Sequence, residues 1–212
     1  MAVRMPISSA RQGAGRNSPA GFGFEAEPGR RERQVMGNYI HRIVDATLAS
    51  EFVPVSIRMP LMRRLGYNVD RTACIWARAS FRSRTVKIGP QVFINVGFFY
   101  DGFLPLEIGA NVRIGQFVRI ITGSHQIGPP TQRCLVDAVG GPVVIGRGCW
   151  IGSGVTILPG VTIGDGCVIA AGSLVTKSTE PNGLYAGIPA RLVRALADDA
   201  STGAADDPLL VC

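Results

Sequence analysis

The sequence places an aliphatic residue at every sixth position over much of its second half. The longest unbroken series is Ile145, Ile151, Ile157, Ile163, Ile169 and Val175. An earlier block has the same spacing, first at Ile88 and Ile94 and then at Ile108, Ile114 and Ile120. An α-helix with 3.6 residues per turn cannot align positions six and twelve apart, and an ordinary strand alternates with a period of two. A fixed longer period instead predicts a solenoid.

Three hexapeptides predict one triangular coil of 18 residues. The aliphatic residue, at position i, should point into the prism and stack on its equivalent one coil away, at a rise of about 4.8 Å. Position i+4 is small in every late repeat, as expected for a side chain that points inward near a corner: Cys149, Val155, Val161, Cys167 and Ser173. Glycine is frequent at i+1, where we expect it to ease the backbone of the turn. Cys149 and Cys167 should stack as buried small residues and not as a disulfide.

This repeat resembles that of the hexapeptide-repeat acyltransferases. The resemblance covers about residues 75–194 and is strongest over 143–191. The segment VTKSTEPNGLYAGIPAR, at the end of that range, closely resembles the end of the repeat in maltose- and galactoside-type O-acetyltransferases. The resemblance implies a left-handed parallel β-helix. We therefore expect a mainly β fold with short N-terminal helices and a protruding loop.

The chain divides into four predicted segments. These are a mobile tail at 1–36, a helical segment at 37–74, the β-helix at 75–190, and a C-terminal helix or tail at 191–212. In the helical segment, apolar periodicity predicts one helix over 38–50 and a second that begins at Pro54 and ends at Gly66. The apolar face of the second helix is predicted to be Ile57, Leu61, Met62 and Leu65.

The net charge of +7 is concentrated before residue 91. We interpret this excess as a solvated surface, and we expect no nucleic-acid partner. Arg58, Arg63 and Arg64 nevertheless allow the hypothesis of a membrane-surface helix that meets a membrane-associated glycan. No apolar run reaches the roughly 18–20 residues of a membrane span, and the N-terminus lacks the apolar stretch of a secretory signal. The five cysteines include no CxxC pair, which favours a reducing cytoplasm.

Two breaks in the period of six mark candidate functional segments. FFYDGFLPL, at residues 98–106, shifts the phase before Ile108, and a loop at about 126–142 leaves the prism after Ile120. Long insertions in a compact repeat are usually functional. His125 opens that loop and is the only histidine of the repeat region. A neutral imidazole can take the proton of an attacking hydroxyl, so His125 is the candidate general base.

The family resemblance extends this site to further residues. It implies acetyl-CoA as co-substrate, His125 as the base, and Asn95 and Asp101 as ligands of the acceptor hydroxyls. The donor groove would be formed by Trp150, Gly152, Ser153, Ala171, Thr176, Lys177, Arg191 and Arg194. The family forms trimers, so the resemblance also implies a homotrimer with active sites between subunits. Transfer of an acetyl group to a sugar or glycan hydroxyl is the function predicted, with no metal.

Proteins with similar repeats have several other functions. An acetyltransferase acting on an antibiotic hydroxyl remains open, as does a binding scaffold without catalysis. Zinc carbonic anhydrases of similar fold need three histidine ligands, and this repeat has one. Nucleotidyltransferases carry a Rossmann-like N-terminal domain, for which the 74 residues before Ile75 are too few.

Overall fold

Two helices precede the solenoid. The computed structural model describes residues 43–197. Helix α1 occupies residues 43–49 of that range, and α2 spans Val55–Arg64 after an extended Pro54. The predicted helix at 38–50 is confirmed where it is described, and Gly66 follows the second helix with φ +88°, as predicted. The predicted mobile tail at 1–36 lies outside the described residues, as do residues 198–212.

Short strands follow one another at nearly every sixth residue. The first three coils contain β1 (Asn68–Val69), β2 (Cys74–Ile75), β3 (Ser80–Phe81), β4 (Val86–Ile88), β5 (Phe93–Ile94), β6 (Phe99–Tyr100), β7 (Leu106–Ile108), β8 (Arg113–Ile114) and β9 (Arg119–Ile120). A hairpin of β10 (Gly123–Ile127) and β11 (Cys134–Gly140) follows. The next two coils contain β12 (Val143–Ile145), β13 (Trp150–Ile151), β14 (Thr156–Ile157), β15 (Thr162–Ile163), β16 (Val168–Ile169) and β17 (Leu174–Val175). The described chain ends with β18 (Gly183–Gly187) and β19 (Ala190–Ala195).

The strands stack into three parallel faces. Face A contains β1, β4, β7, β12 and β15, and face C contains β3, β6, β9, β14 and β17. Face B contains β2, β5, β8, β13, β16 and β18, to which β19 adds an antiparallel edge. In each face the aliphatic position pairs with its equivalent on the next coil, as Ile114 does with Ile151 and Ile151 with Ile169. This is the predicted parallel β-helix, with its predicted register.

The prism interior is filled from positions i and i+4. The isoleucines at position i are 0–2 % exposed, and Cys149 and Cys167 are 1 % and 0 % exposed as free thiols. Burial raises the pKa of the Cys149 thiol to about 12. The two cysteines are therefore buried small residues, as predicted. Phe98 departs from the small-residue rule at i+4, and it packs against Phe81 at a ring-centroid distance of 5.3 Å.

The i+1 glycines are required for a different reason from the one predicted. Positive φ occurs instead at i+3, for example at Gly148, Gly154 and Gly172. The glycines at i+1 lack positive φ, but the next coil passes too close to admit a side chain. A Cβ on Gly152 would lie 2.5 Å from the backbone nitrogen of Ala171. At these glycines, close coil stacking and not turn conformation excludes a larger residue.

Two predicted segment boundaries are wrong. The β-helix begins at Asn68 and not at residue 75, because β1 pairs in parallel with β4. The chain after residue 190 begins as a strand and not as a helix, because β18 turns back at Gly187 and β19 pairs antiparallel with it. β18 is largely buried and β19 is exposed, so β19 forms the edge of face B.

Arg58 is not part of an exposed basic helix face. It is 2 % exposed, whereas Ile57, predicted to be on the buried face, is 57 % exposed. Its guanidinium donates hydrogen bonds to the carbonyl oxygens of Leu48, Ser50, Val53 and Ile75, at 2.6–3.0 Å. Arg58 thereby fastens both helices to the first coil, which removes it from the hypothesis of a membrane-surface helix. Within residues 43–197, no helix combines the length and apolar character that crossing a membrane requires.

Candidate active site

The turns between faces B and C form one continuous edge, which we call the B–C corner. It consists of residues 76–78, 95–97, 115–117, 152–154 and 170–172. Backbone hydrogen bonds of 2.8–3.0 Å join successive coils along it, from Asn95 N to the carbonyl of Ile114, and from Gly152 N to that of Ile169. Four predicted site residues therefore lie on a single edge of the prism: Asn95, Gly152, Ser153 and Ala171.

Asn95 is half-buried in this corner. Its side-chain oxygen accepts a hydrogen bond of 2.8 Å from the backbone N–H of Val96. That bond orients the amide and leaves its NH₂ group as a donor. An asparagine held in this way can recognise a hydroxyl oxygen, the role that the resemblance implies.

Beyond Phe117 the B–C corner contains only glycine, serine and alanine, at residues 152–154 and 170–172. A Cβ on Gly115 would lie 2.7 Å from the nitrogen of Ser153, and the same crowding applies at Gly152. Ser153 donates a short hydrogen bond from its hydroxyl to the side chain of Gln116, and Ala171 is exposed. A narrow, smooth strip bordered by backbone amides fits an unbranched chain such as the pantetheine arm of coenzyme A. Trp150, 37 % exposed on the outer surface of face B, lies beside this strip.

His125 lies on a different edge, the C–A corner, between faces C and A. The hairpin of β10 and β11 leaves the prism there, and His125 pairs with Ala138 across it. The predicted loop at 126–142 is therefore mainly an ordered hairpin. The imidazole is exposed, and neither of its nitrogens has a partner among residues 43–197. The ring is therefore accessible to an acceptor hydroxyl.

Asp101 holds the base of this hairpin. Its Oδ2 accepts hydrogen bonds of 2.9 Å from the backbone N–H groups of Thr122 and Gly123, and its Oδ1 accepts one from the Thr122 hydroxyl. The two segments that break the period of six therefore lie at one corner, and the segment at 98–106 supports the base of the hairpin. Phe103 lies under the hairpin, because Cβ atoms on Gly123 and Gly140 would lie 2.9 and 3.1 Å from its side chain. The carboxylate of Asp101 is thus engaged by the chain itself.

The remaining predicted donor residues lie near the C-terminal end of the prism. Thr176 and Lys177 directly follow β17, so they lie at the C–A corner with the hairpin. Arg191 and Arg194 lie on the exposed strand β19 at the edge of face B. Lys177 and Arg191 have no carboxylate partner in the described part of the chain. These cations are available to an anionic ligand such as a phosphate group.

A single chain does not bring the two halves of this site together. Asn95 and the smooth strip lie at the B–C corner, while His125 and Asp101 lie at the C–A corner. Face C lies between these corners. One side of a coil has about six residues at about 3.3 Å each, so the corners are at most about 20 Å apart. Asn95 and His125 therefore lie on different edges of the same chain, one at each end of face C. In residues 43–197, no cluster of three or more His, Cys, Asp or Glu side chains is arranged to hold a metal ion.

Sequence reasoning missed four residues at these corners. Thr122 and Phe103 support the hairpin, and Gln116 binds Ser153. Trp76 lies directly beside Asn95, since its N–H donates to the carbonyl of Ile94 at 2.9 Å. The period of six could have predicted that Trp76 lies beside Asn95, because both residues occupy position i+1 of repeats in face B.

Comparisons with known proteins agree with this geometry. The family described as bacterial transferase hexapeptide (six repeats) matches residues 142–177. A crystal structure of a hexapeptide-repeat acetyltransferase from Vibrio cholerae, complexed with acetyl coenzyme A, is 30 % identical. The match covers 82 % of this chain and 94 % of the Vibrio cholerae chain, with a TM-score of 0.71. A galactoside acetyltransferase in complex with coenzyme A is 28 % identical. The match covers 82 % of this chain and 86 % of the galactoside acetyltransferase chain, with a TM-score of 0.61.

Two further relatives extend the comparison. A maltose O-acetyltransferase from Clostridium difficile 630 is 29 % identical. The match covers 79 % of this chain and 90 % of the maltose O-acetyltransferase chain, with a TM-score of 0.61. A Dictyostelium discoideum protein, provisionally assigned as an acetyltransferase, is 35 % identical over 109 residues. That match covers 51 % of this chain, which spans only 57 % of the length of this curated relative.

Proposed function

Since this chain belongs to the hexapeptide-repeat acetyltransferases, we propose that it transfers an acetyl group from acetyl-CoA to a hydroxyl of a sugar or glycan-like acceptor. The observation that carries this proposal is the placement of His125, the only histidine of the repeat region, on a hairpin whose base is tied to the prism. A sugar acceptor is supported by the galactoside and maltose acetyltransferases among the similar structures.

His125 acts as the general base in the proposed reaction. A hydroxyl attacks a thioester poorly at neutral pH, because its pKa lies far above that range. The imidazole removes the hydroxyl proton as the oxygen attacks the carbonyl carbon of the acetyl group. The bond between that carbon and sulfur then breaks, and the sulfur leaves as CoA-SH with the proton. The acceptor keeps the acetyl group as an ester, with no covalent intermediate on the protein.

The B–C corner binds both substrates in this proposal. Asn95 donates a hydrogen bond to an acceptor hydroxyl, and the strip past Gly152, Ser153 and Ala171 holds the pantetheine arm beside Trp150. A backbone N–H of this strip is suited to stabilise the oxyanion that forms during attack. The phosphates of coenzyme A meet the basic C-terminal end of the prism, formed by Thr176, Lys177, Arg191 and Arg194.

The enzyme is proposed to act as a homotrimer. The hairpin with His125 from one subunit would meet the B–C corner of its neighbour, which unites the two halves that one chain keeps apart. Each of three equivalent contacts then contains one site, in keeping with closed cyclic symmetry. We place the reaction in the cytoplasm, a prediction that the free thiols of the described cysteines support.

The direct test is release of CoA-SH from acetyl-CoA with a panel of sugars that includes maltose and a galactoside. His125→Ala should lower kcat by about 10²–10⁴-fold, the usual effect of losing a general base, while CoA binding by calorimetry stays unchanged. The chain's other histidine provides the matched control, His41→Ala. A His125→Ala enzyme as fast as wild type would remove the histidine from the mechanism. If the wild type neither released nor bound CoA, the alternative of a binding scaffold would replace the transferase.

A further inference from the structure

Two exposed aromatic side chains flank Asn95 along the B–C corner. Trp76 is 49 % exposed one coil before it, and Phe117 is 51 % exposed one coil after it. The N–H of Trp76 bonds to the carbonyl of Ile94 at 2.9 Å, and the N–H of Phe117 bonds to that of Val96 at 2.9 Å. The two rings therefore originate from the backbone on either side of Asn95, two coil rises or about 10 Å apart.

Both rings are held by their surroundings. The indole of Trp76 meets the ring of Phe93 edge to face, with centroids 6.0 Å apart and planes at 67°. The ring of Phe117 lies over Gly97, where a Cβ would come within 2.4 Å of it. Because the neighbours fix the rings and yet leave them about half exposed, they present ordered apolar surface to solvent. Exposed apolar surface of this kind commonly marks a binding site.

The chemistry of this surface fits a sugar ring. A pyranose has one or both faces lined with C–H groups, which pack on an aromatic ring, and a rim of hydroxyls that bind amides. We propose that Trp76 and Phe117 form a subsite for the sugar unit next to the one that is acetylated, while Asn95 between them binds a hydroxyl of the acetylated unit. The acceptor is then a disaccharide or a longer glycan, and not a free monosaccharide. This inference rests on the proposed function, in which a sugar hydroxyl is acetylated. It adds that the acceptor contains more than one sugar unit.

Charged groups around the rings argue against their burial in the core of a subunit contact, so the hairpin proposed to meet this corner would leave the rings accessible. Arg78 and Glu51 form an ion pair of 3.7 Å, two residues from Trp76, with side chains 59 % and 65 % exposed. The Arg113 guanidinium lies 6.0 Å from the ring centroid of Phe93. The central part of a stable protein interface is depleted of charged residues. Aromatic rings interleaved with charges and an amide are instead typical of a site for a polar ligand.

Acceptor kinetics test this subsite. Trp76→Ala should raise KM for maltose and maltotriose by about five- to tenfold, the usual range for one stacking contact, and change KM for glucose by less than about twofold. The kcat should stay near that of wild type, because the reacting groups are unchanged. Trp76→Phe retains an aromatic face and should restore most of the affinity. Ile57→Ala removes an exposed apolar side chain from α2 and serves as the matched control.

Three results would overturn the subsite. These are an equal rise in KM for glucose and maltotriose, no change in any KM, or dissociation of Trp76→Ala into smaller oligomers by light scattering. The last would assign the rings to a subunit contact.

A binding measurement separates this inference from the acetyl transfer itself. The chain has two tryptophans, so Trp150→Phe leaves Trp76 as the only indole emitter. Titration with maltotriose, and separately with lactose, should change the emission of Trp76 saturably without acetyl-CoA. Saturable binding by this variant, combined with a wild-type protein that transfers no acetyl group, would refute the proposed function and support the carbohydrate subsite. An emission unaffected by either sugar would refute the subsite even if acetyl transfer were observed.

Discussion

Replacing Asp101 by Asn should loosen the hairpin that carries His125. The carboxylate accepts two backbone N–H bonds of 2.9 Å and a hydroxyl bond at the hairpin base. An asparagine keeps one acceptor oxygen and turns an NH₂ group toward the remaining donors. Hydrogen bonds to a charged group contribute about 1.5–3 kcal/mol each, so losing one or two of them should cost roughly 2–4 kcal/mol.

Hydrogen exchange followed by mass spectrometry measures this loss directly. A cost of 2–4 kcal/mol corresponds to about 30- to 1,000-fold faster exchange in peptides from the hairpin base, with little change in the β-helix core. The matched control is Asp137→Asn, which removes an exposed carboxylate from the same hairpin. The kcat should fall while the acceptor KM stays nearly constant. A raised acceptor KM with unchanged hairpin exchange would refute the reasoning and return Asp101 to the role of acceptor ligand.

Three further predictions concern the prism and its N-terminal cap. At pH 7.5 iodoacetamide should modify the exposed Cys134 much faster than Cys149. Burial raises the pKa of Cys149 to about 12, so this cysteine contains very little reactive thiolate at pH 7.5. Equal modification rates in peptide mapping would contradict the burial of Cys149. Gly152→Ala should lower Tm by several degrees, since its Cβ would lie 2.5 Å from a backbone nitrogen; an unchanged Tm would show that the coils can separate. Arg58→Met removes the guanidinium hydrogen bonds to four carbonyls and should cost about 3 kcal/mol or more in urea unfolding. The exposed Arg64→Met should cost less than about 0.5 kcal/mol.

The spacing of the isoleucines predicted the architecture because a solenoid repeats its environment at a fixed period. Once Ile151 and Ile169 were assigned to the interior, the positions of the corners followed, and Asn95 and Gly152 fell on the same edge. The protruding segment was predicted for the same reason, since the separation of 25 positions from Ile120 to Ile145 is one more than four repeats of six. Local order within that segment was not predictable, because its strands pair only with each other.

What the sequence did not predict depends on contacts outside the repeat. The burial of Arg58 results from carbonyls contributed by α1, the turn after it and the first coil, which no helical periodicity reports. The contact of Asp101 with the hairpin base joins residues 21 and 22 positions apart, across an insertion that breaks the period. The strand at 190–195 resembles a short amphipathic helix in composition. Its conformation is determined by pairing with β18.

The measurement that tests the account most directly is subunit complementation between two inactive variants. His125→Ala damages the hairpin half of the site, and Asn95→Ala damages the corner half. Each is expected to transfer little acetyl group from acetyl-CoA to a sugar when it is expressed alone. Co-expressed in equal amounts, they should recover about a quarter of the wild-type activity, because half of the hairpins and half of the corners are intact and meet at random in mixed trimers. Activity no higher than that of the separate variants would contradict a site shared between subunits.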